Sequence, residues 1–168
     1  SSFNLIGAED NILTTARPGE GDAVEFYTYT KDLRESTINV VGKDGTSQKT
    51  YSYTDYGETT ELGENDFYNE VCYGGGIYDK TTGLYYLNAR YYSPENGSFL
   101  TQDTYRGSRS KTETLNLYGY CAGNPISYTD PSGHCLFARR AVGDSLGKTD
   151  SNTAKLCGVS AANVGSGA

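Results

Sequence analysis

The residues with chemical potential are few and oddly placed. His134 is the sole histidine and stands next to Cys135. That adjacency invites a Cys–His nucleophile, but sequence neighbours rarely face each other in extended chain, and no third orienting residue is evident. The four cysteines (Cys72, Cys121, Cys135, Cys157) include no CxxC pair, so they and His134 make a poor zinc set. Disulfides stay open among three pairings, with free or incidental thiols as the simpler reading. Glu58, Glu61, Glu64 and Asp66 form an acidic group without the glycine and spacing of a calcium loop, and read as a solvated hairpin tip. Rows of tyrosine can stack on sugar rings, although in paired strands aromatic neighbours first of all hold the sheet together. No cofactor motif and no metal motif is present.

The elements that must position these groups are strands. The chain has 168 residues, 36% of them hydrophobic, with 16 tyrosines, 21 glycines and neither Met nor Trp. Mean hydropathy is -0.60, so aliphatic mass for a core is scarce. Polar–aromatic alternation runs through Glu25–Thr30, Thr50–Thr54 and Leu84–Tyr92, and turn signals separate the runs: Lys43-Asp44-Gly45, Tyr56-Gly57, Gly74-Gly75-Gly76, Thr82-Gly83, Glu95-Asn96-Gly97 and Ser132-Gly133. Little before residue 135 has helical periodicity beyond a turn, the one candidate being a helical turn starting within Asp32–Val40. The expected class is all-β, built of hairpins. Tyr51–Gly57 and Gly76–Gly83 repeat the order Tyr, Asp, Gly, and a unit of about 20 residues that cannot bury its own face must stack on neighbours.

Charge and chain ends narrow the functions. Fourteen basic against 21 acidic residues give a net charge of -7, with the basic residues scattered, which argues against a nucleic-acid partner. No run approaches the roughly 20 apolar residues of a membrane helix, and no charged-then-apolar leader is visible. A start at Ser1 without a methionine reads as a fragment or processed product. After residue 134 the composition turns small and polar. Leu136, Phe137, Ala138, Ala141 and Val142 suggest a brief helix, and the tail to Ala168 is too short to fold without staples and lacks a catalytic set.

One long string stands out: Tyr78-Asp79-Lys80-Thr81-Thr82-Gly83-Leu84-Tyr85-Tyr86-Leu87-Asn88-Ala89-Arg90-Tyr91-Tyr92-Ser93-Pro94. It continues through Gly97–Asp103 and closes with Leu115–Tyr120, Asn124-Pro125-Ile126 and Tyr128-Thr129-Asp130-Pro131-Ser132-Gly133-His134. In this order these motifs closely resemble the RHS repeat-associated core domain, with residues 26–77 similar to the YD-repeat hairpins that precede it. The resemblance divides the chain into N-terminal lead-in strands (1–25), YD-repeat hairpins (26–77), the core (78–134) and a variable tail (135–168) in the toxin position, shorter than a whole toxin.

That resemblance implies a bacterial, secreted or cell-surface polymorphic-toxin protein related to toxin-complex C components, acting in competition between cells or against hosts. Its β-sheet ribbon winds into a shell around a C-terminal toxin, and the core plugs one end. Partners would be the rest of the shell, the toxin and a secretion apparatus. Some 134 residues cannot close such a shell, so open sheet edges are expected. Self-cleaving members use an aspartyl-protease-like site, whose residues fall here on Arg90, Asp103 and Asp130, with the cut between His134 and Cys135. Peptide hydrolysis by two carboxyls needs one ionised and one protonated, a division that close carboxylates adopt because two adjacent charges repel. A guanidinium beside them biases which stays charged. The chain departs from the cleaving pattern at His134, where leucine is usual, and in extra length around Ser108–Thr114, although a longer surface loop costs little. Structural alternatives exist for each residue: Arg90 as an ion-pair partner or stacked on Tyr91 or Tyr92, Asp103 as a turn cap, and Asp130–Gly133 as a type I turn. The competing function is a non-cleaving surface adhesion module directed at cell-surface glycans. A third, an effector enzyme in the tail, finds no residues to support it.

Overall fold

The computed structural model describes residues 3–6, 12–19, 21, 23–63, 66–104, 106–107, 109, 112–134 and 137–138. Six strands follow one another as hairpins in a single antiparallel sheet: β1 (Phe3–Ile6), β2 (Ile12–Pro18), β3 (Val24–Lys31), β4 (Thr37–Gly42), β5 (Ser47–Tyr53) and β6 (Thr59–Leu62). A second antiparallel sheet holds β7 (Ile77–Asp79), β8 (Leu84–Leu87), β9 (Arg90–Ser93) and β10 (Ser98–Phe99). A last pair joins β11 (Tyr128–Thr129) to β12 (Phe137–Ala138). Three short 3-10 turns complete the described residues, which contain no α-helix. The fold is all-β, and the larger sheet stays open at β1 and β6.

Strand periodicity decides which side chains face inward. Tyr85 on β8 pairs with Tyr92 on β9, and Leu87 with Arg90, so these four share one face. They are buried, whereas Tyr86 and Tyr91 pair on the opposite, exposed face with ring centroids 5.3 Å apart. On β5, Lys49 and Tyr51 point inward, and Tyr51 lies opposite Glu61 of β6. Tyrosine does most of the filling. Tyr73, in the crossover between the sheets, lies 5.8 Å from Tyr53, 5.9 Å from Tyr85, 6.2 Å from Tyr120 and 6.5 Å from Tyr92. Burying a phenol is costly without a hydrogen bond, and two of these make theirs across the interface. Tyr73 donates to the carbonyl of Asp55 at 2.7 Å and Tyr92 to that of Tyr56 at 2.7 Å, fastening the small sheet to the β5–β6 turn. Gly57 permits this approach: its φ is 91°, and a Cβ there would come within 2.6 Å of the Tyr73 ring. The two Tyr–Asp–Gly repeats both prove to be a strand running into a turn closed at its glycine, Gly57 N–H on Thr54 O and Gly83 N–H on Asp79 O.

Three readings change. Asp32–Ser36 is not a helical turn: the Asp32 carboxylate accepts from the backbone N–H of Arg34 (2.8 Å) and Ser36 (2.9 Å), and β4 begins at Thr37. A short acidic side chain offers the backbone this alternative to a helix. The run Leu84–Tyr92 is two strands, because Asn88 takes a φ of 57° and the chain reverses at Asn88-Ala89. Of the expected tail helix, Phe137 and Ala138 form β12 instead, captured by pairing with β11. Leu136, Ala141 and Val142 lie outside the described residues, as do Cys135, Cys157 and the rest of the tail. Cys72 and Cys121 are both buried.

The core makes two predictions. Leu87 is 2% exposed, so Leu87→Ala should cost about 2–5 kcal/mol, while Tyr91→Ala, on the outer face, should cost under ~1 kcal/mol, both read from urea-melt midpoints. Burial pushes the Cys72 thiol up to about 12, so iodoacetamide at pH 8 should label Cys72 only after denaturation, as peptide mapping would show.

Candidate functional site

The small sheet brings one cation inward. Arg90 opens β9 directly after the two-residue turn, on the buried face that also carries Leu87 and Tyr92. Its guanidinium is 3.6 Å from the centroid of Phe99, which pairs with Tyr92 on the neighbouring strand. The stacking partner is therefore Phe99, not Tyr91, which points to solvent, nor Tyr92, whose ring packs against Phe99 and Tyr120. Diagonal placement across a strand pair lets a long side chain reach such a ring.

Arg90 Nη2 lies 2.8 Å from Asp103 Oδ2 and 3.8 Å from Asp130 Oδ2. The two carboxyls can therefore be no farther apart than those distances combined. Arg90 Nη1 donates to the carbonyl of Leu117 at 3.1 Å, and Nε donates to the carbonyl of Gly133. Arg90 and Asp130 are almost wholly buried, and Asp103 is nearly so. Burial pushes the Arg90 pKa below its ordinary value, against the pull of Asp103 and then Asp130. A guanidinium nevertheless remains charged at neutral pH.

The partners arrive on separate loops. Asp103 follows β10, with its backbone N–H on the carbonyl of Leu117 at 2.9 Å. The long connection toward Asp130 passes through the 3-10 turn Thr112–Leu115, with Ser108, Ser110 and Lys111 outside the described residues. Its extra length leaves the two acids on the same arginine. Asp130 begins a turn closed by Gly133 N–H on the Asp130 carbonyl at 3.4 Å. Asp130 Oδ1 accepts from Ser132 Oγ and from the backbone N–H of His134, each at 3.1 Å. The β8–β9 turn clamps this segment, as Asn88 Nδ2 donates to the carbonyl of Pro131 at 2.9 Å. Gly133 has a φ of 71°, and a Cβ on it would overlap the carbonyl oxygen of Leu87, so only glycine brings the junction this close. His134 Nδ1 lies 3.2 Å from Asp103 Oδ1.

Thus Arg90, Asp103, Asp130 and His134 share one cluster. His134 faces an acid, and Cys135 lies outside the described residues. Asn88, Phe99, Ser132 and the Leu117 carbonyl were not foreseen. An asparagine between two alternating runs was the available signal for the turn; nothing in the sequence signals a backbone carbonyl. The acidic group elsewhere is dispersed: Glu61 binds Lys49 at 2.8 Å and also Lys80, and Glu64 lies outside the described residues. Such an arrangement can hold two carboxyls beside a peptide backbone with a fixed positive charge between them.

The chain matches the teneurin YD-shell family over residues 20–126. It is similar to the tRNA3(Ser)-specific nuclease WapA of Bacillus spizizenii, 37% identical over 128 residues, which is 70% of this chain and 6% of that protein. Similarity to the toxin subunit YenC2 of Yersinia entomophaga is 41% over 66 residues, covering 39% of this chain and 6% of the relative. Among solved structures, the TcdB2–TccC3 crystal structure superposes with a TM-score of 0.66 at 26% identity, over 79% of this chain and 6% of that one. The chain spans only a small fraction of these proteins. With strand order, tyrosine core and family match in agreement, the chain belongs to the YD-shell family of RHS/YD-repeat proteins.

Proposed function

We propose that this chain is the C-terminal core segment of a bacterial, secreted or cell-surface RHS/YD-repeat protein that encloses and presents a toxin. We further infer that Arg90, Asp103 and Asp130 cut the chain once, between His134 and Cys135. The observation that carries this reading is the pair of carboxyls held on one buried guanidinium next to the junction backbone. In the full protein, residues 26–77 would continue the ribbon, residues 78–134 would plug it, and the sequence from 135 onward would be cargo. Similarity to a toxin subunit and to a nuclease supports the toxin context.

The chemistry follows from the distances. Asp103, on Arg90 at 2.8 Å, is suited to be the carboxylate that takes a proton from water. Asp130, farther from the charge at 3.8 Å, is suited to carry the proton of the pair. Arg90 fixes both and polarises a carbonyl. Because the bond lies in the same chain, the reaction occurs once per molecule.

Time-resolved intact mass tests this reading on the freshly purified chain. Wild type should convert to two fragments split at the junction, and Asp130→Asn and Asp103→Asn should slow conversion by about 10²–10⁴-fold. Persistently intact wild type, or unimpaired conversion of both variants, would contradict it. Arg90→Ala removes the guanidinium from both carboxyls and should lower stability by about 3–5 kcal/mol in chemical denaturation.

A further inference from the structure

Resting on the self-cleavage reading, we propose that His134 is a positioning residue that regulates the cut: with both ring nitrogens protonated it locks Asp103, and as neutral imidazole it releases it. His134 is the sole histidine of the chain and immediately precedes the bond to be cut. Its Nδ1 lies 3.2 Å from Asp103 Oδ1, while Arg90 Nη2 holds Asp103 Oδ2 at 2.8 Å. Each oxygen of the carboxylate assigned to water activation therefore faces a nitrogen. One nitrogen belongs to a permanent cation. The other belongs to the one kind of ring whose charge changes close to neutral pH.

Solvent reaches this ring more readily than it reaches the acids. The His134 side chain is 39% exposed, against 14% for Asp103 and 5% for Asp130. A proton can arrive from bulk water without opening the cluster. The backbone keeps the ring beside the pair, because the His134 N–H donates to Asp130 Oδ1 at 3.1 Å and the preceding Gly133 carbonyl accepts from Arg90. The charged groups around it are Asp103 from the loop after β10, Arg90 from β9 and Asp130 from its own turn. The turn residue Asn88, which clamps Pro131, adds no charge.

The two effects of an imidazolium here have the same sign. A second cation on Asp103 makes its carboxylate a weaker base toward water. Added positive charge beside the pair also opposes the protonated state of Asp130, which the reaction needs. Loss of the ring proton removes both effects and leaves a weaker contact between a neutral ring and a carboxylate. The cut should therefore be slow in mildly acidic solution and quicken as pH rises through the range in which imidazole loses its proton. A further rise removes the proton shared by the acids, and the rate falls again whichever residue stands at 134.

The experiment follows fragment formation by intact mass after the urea-denatured whole chain is diluted into buffers from about pH 5 to about pH 8. Wild type should cut about tenfold more slowly at the acid end than at its optimum. His134→Gln keeps a hydrogen-bond donor whose charge does not change, so it should lose that acid limb and stay within about twofold of the wild-type optimum. His134→Lys, charged throughout, should cut at the slow acid rate at every pH. An acid limb of equal depth in His134→Gln overturns the regulation while leaving self-cleavage standing. So does His134→Lys that cuts as fast as wild type at its optimum, or His134→Gln that cuts at no pH, since a neutral donor should suffice. Wild type that stays intact at every pH removes both readings.

Discussion

A single buried guanidinium sets the geometry of the C-terminal half. Arg90 touches two carboxyls, two backbone carbonyls and an aromatic face, and these belong to three separate segments of the chain. Burying a charge is costly unless its partners arrive with it. The arrangement therefore exists only when the loop carrying Asp103, the segment of Leu117 after the 3-10 turn and the Asp130–His134 turn are all docked. On the proposed reading function and folding are linked, because the interaction that would activate the junction also gathers it.

The tyrosine core makes that docking possible with little aliphatic material. The inward rings bury large apolar areas, and two of their hydroxyls find carbonyls on the facing element, those of Tyr73 and Tyr92 at the β5–β6 turn. Sheets held in this way are directional: rings fill the space and phenol tips set the register. The face of β9 that buries Tyr92 buries Arg90 as well, so packing and chemistry share one strand periodicity.

How much of this was legible in the sequence depended on range. Alternating tyrosines and glycine turns gave the all-β class, because a period of two and a positive φ are local properties. The helical turn expected at Asp32 failed because its carboxylate caps the backbone locally, which a search for apolar faces does not register. The ring under Arg90 was misassigned to its sequence neighbours, since Phe99 reaches it only through the β9–β10 pairing. Arg90, Asp103 and Asp130 were named from family resemblance; composition alone would not have joined residues so far apart. That His134 reaches Asp103, or that Gly133 presents its carbonyl to Arg90, depends on a turn whose position only the fold supplies.

The central claim is that one guanidinium binds both acids and the junction in the uncut chain. A crystal structure of the Asp130→Asn variant tests it most directly. Continuous density through Gly133 and His134, with Arg90 on both Asp103 and the Gly133 carbonyl, is the predicted result. Arg90 turned to solvent, or Asp103 and residue 130 on separate faces with the junction away from both, would contradict it.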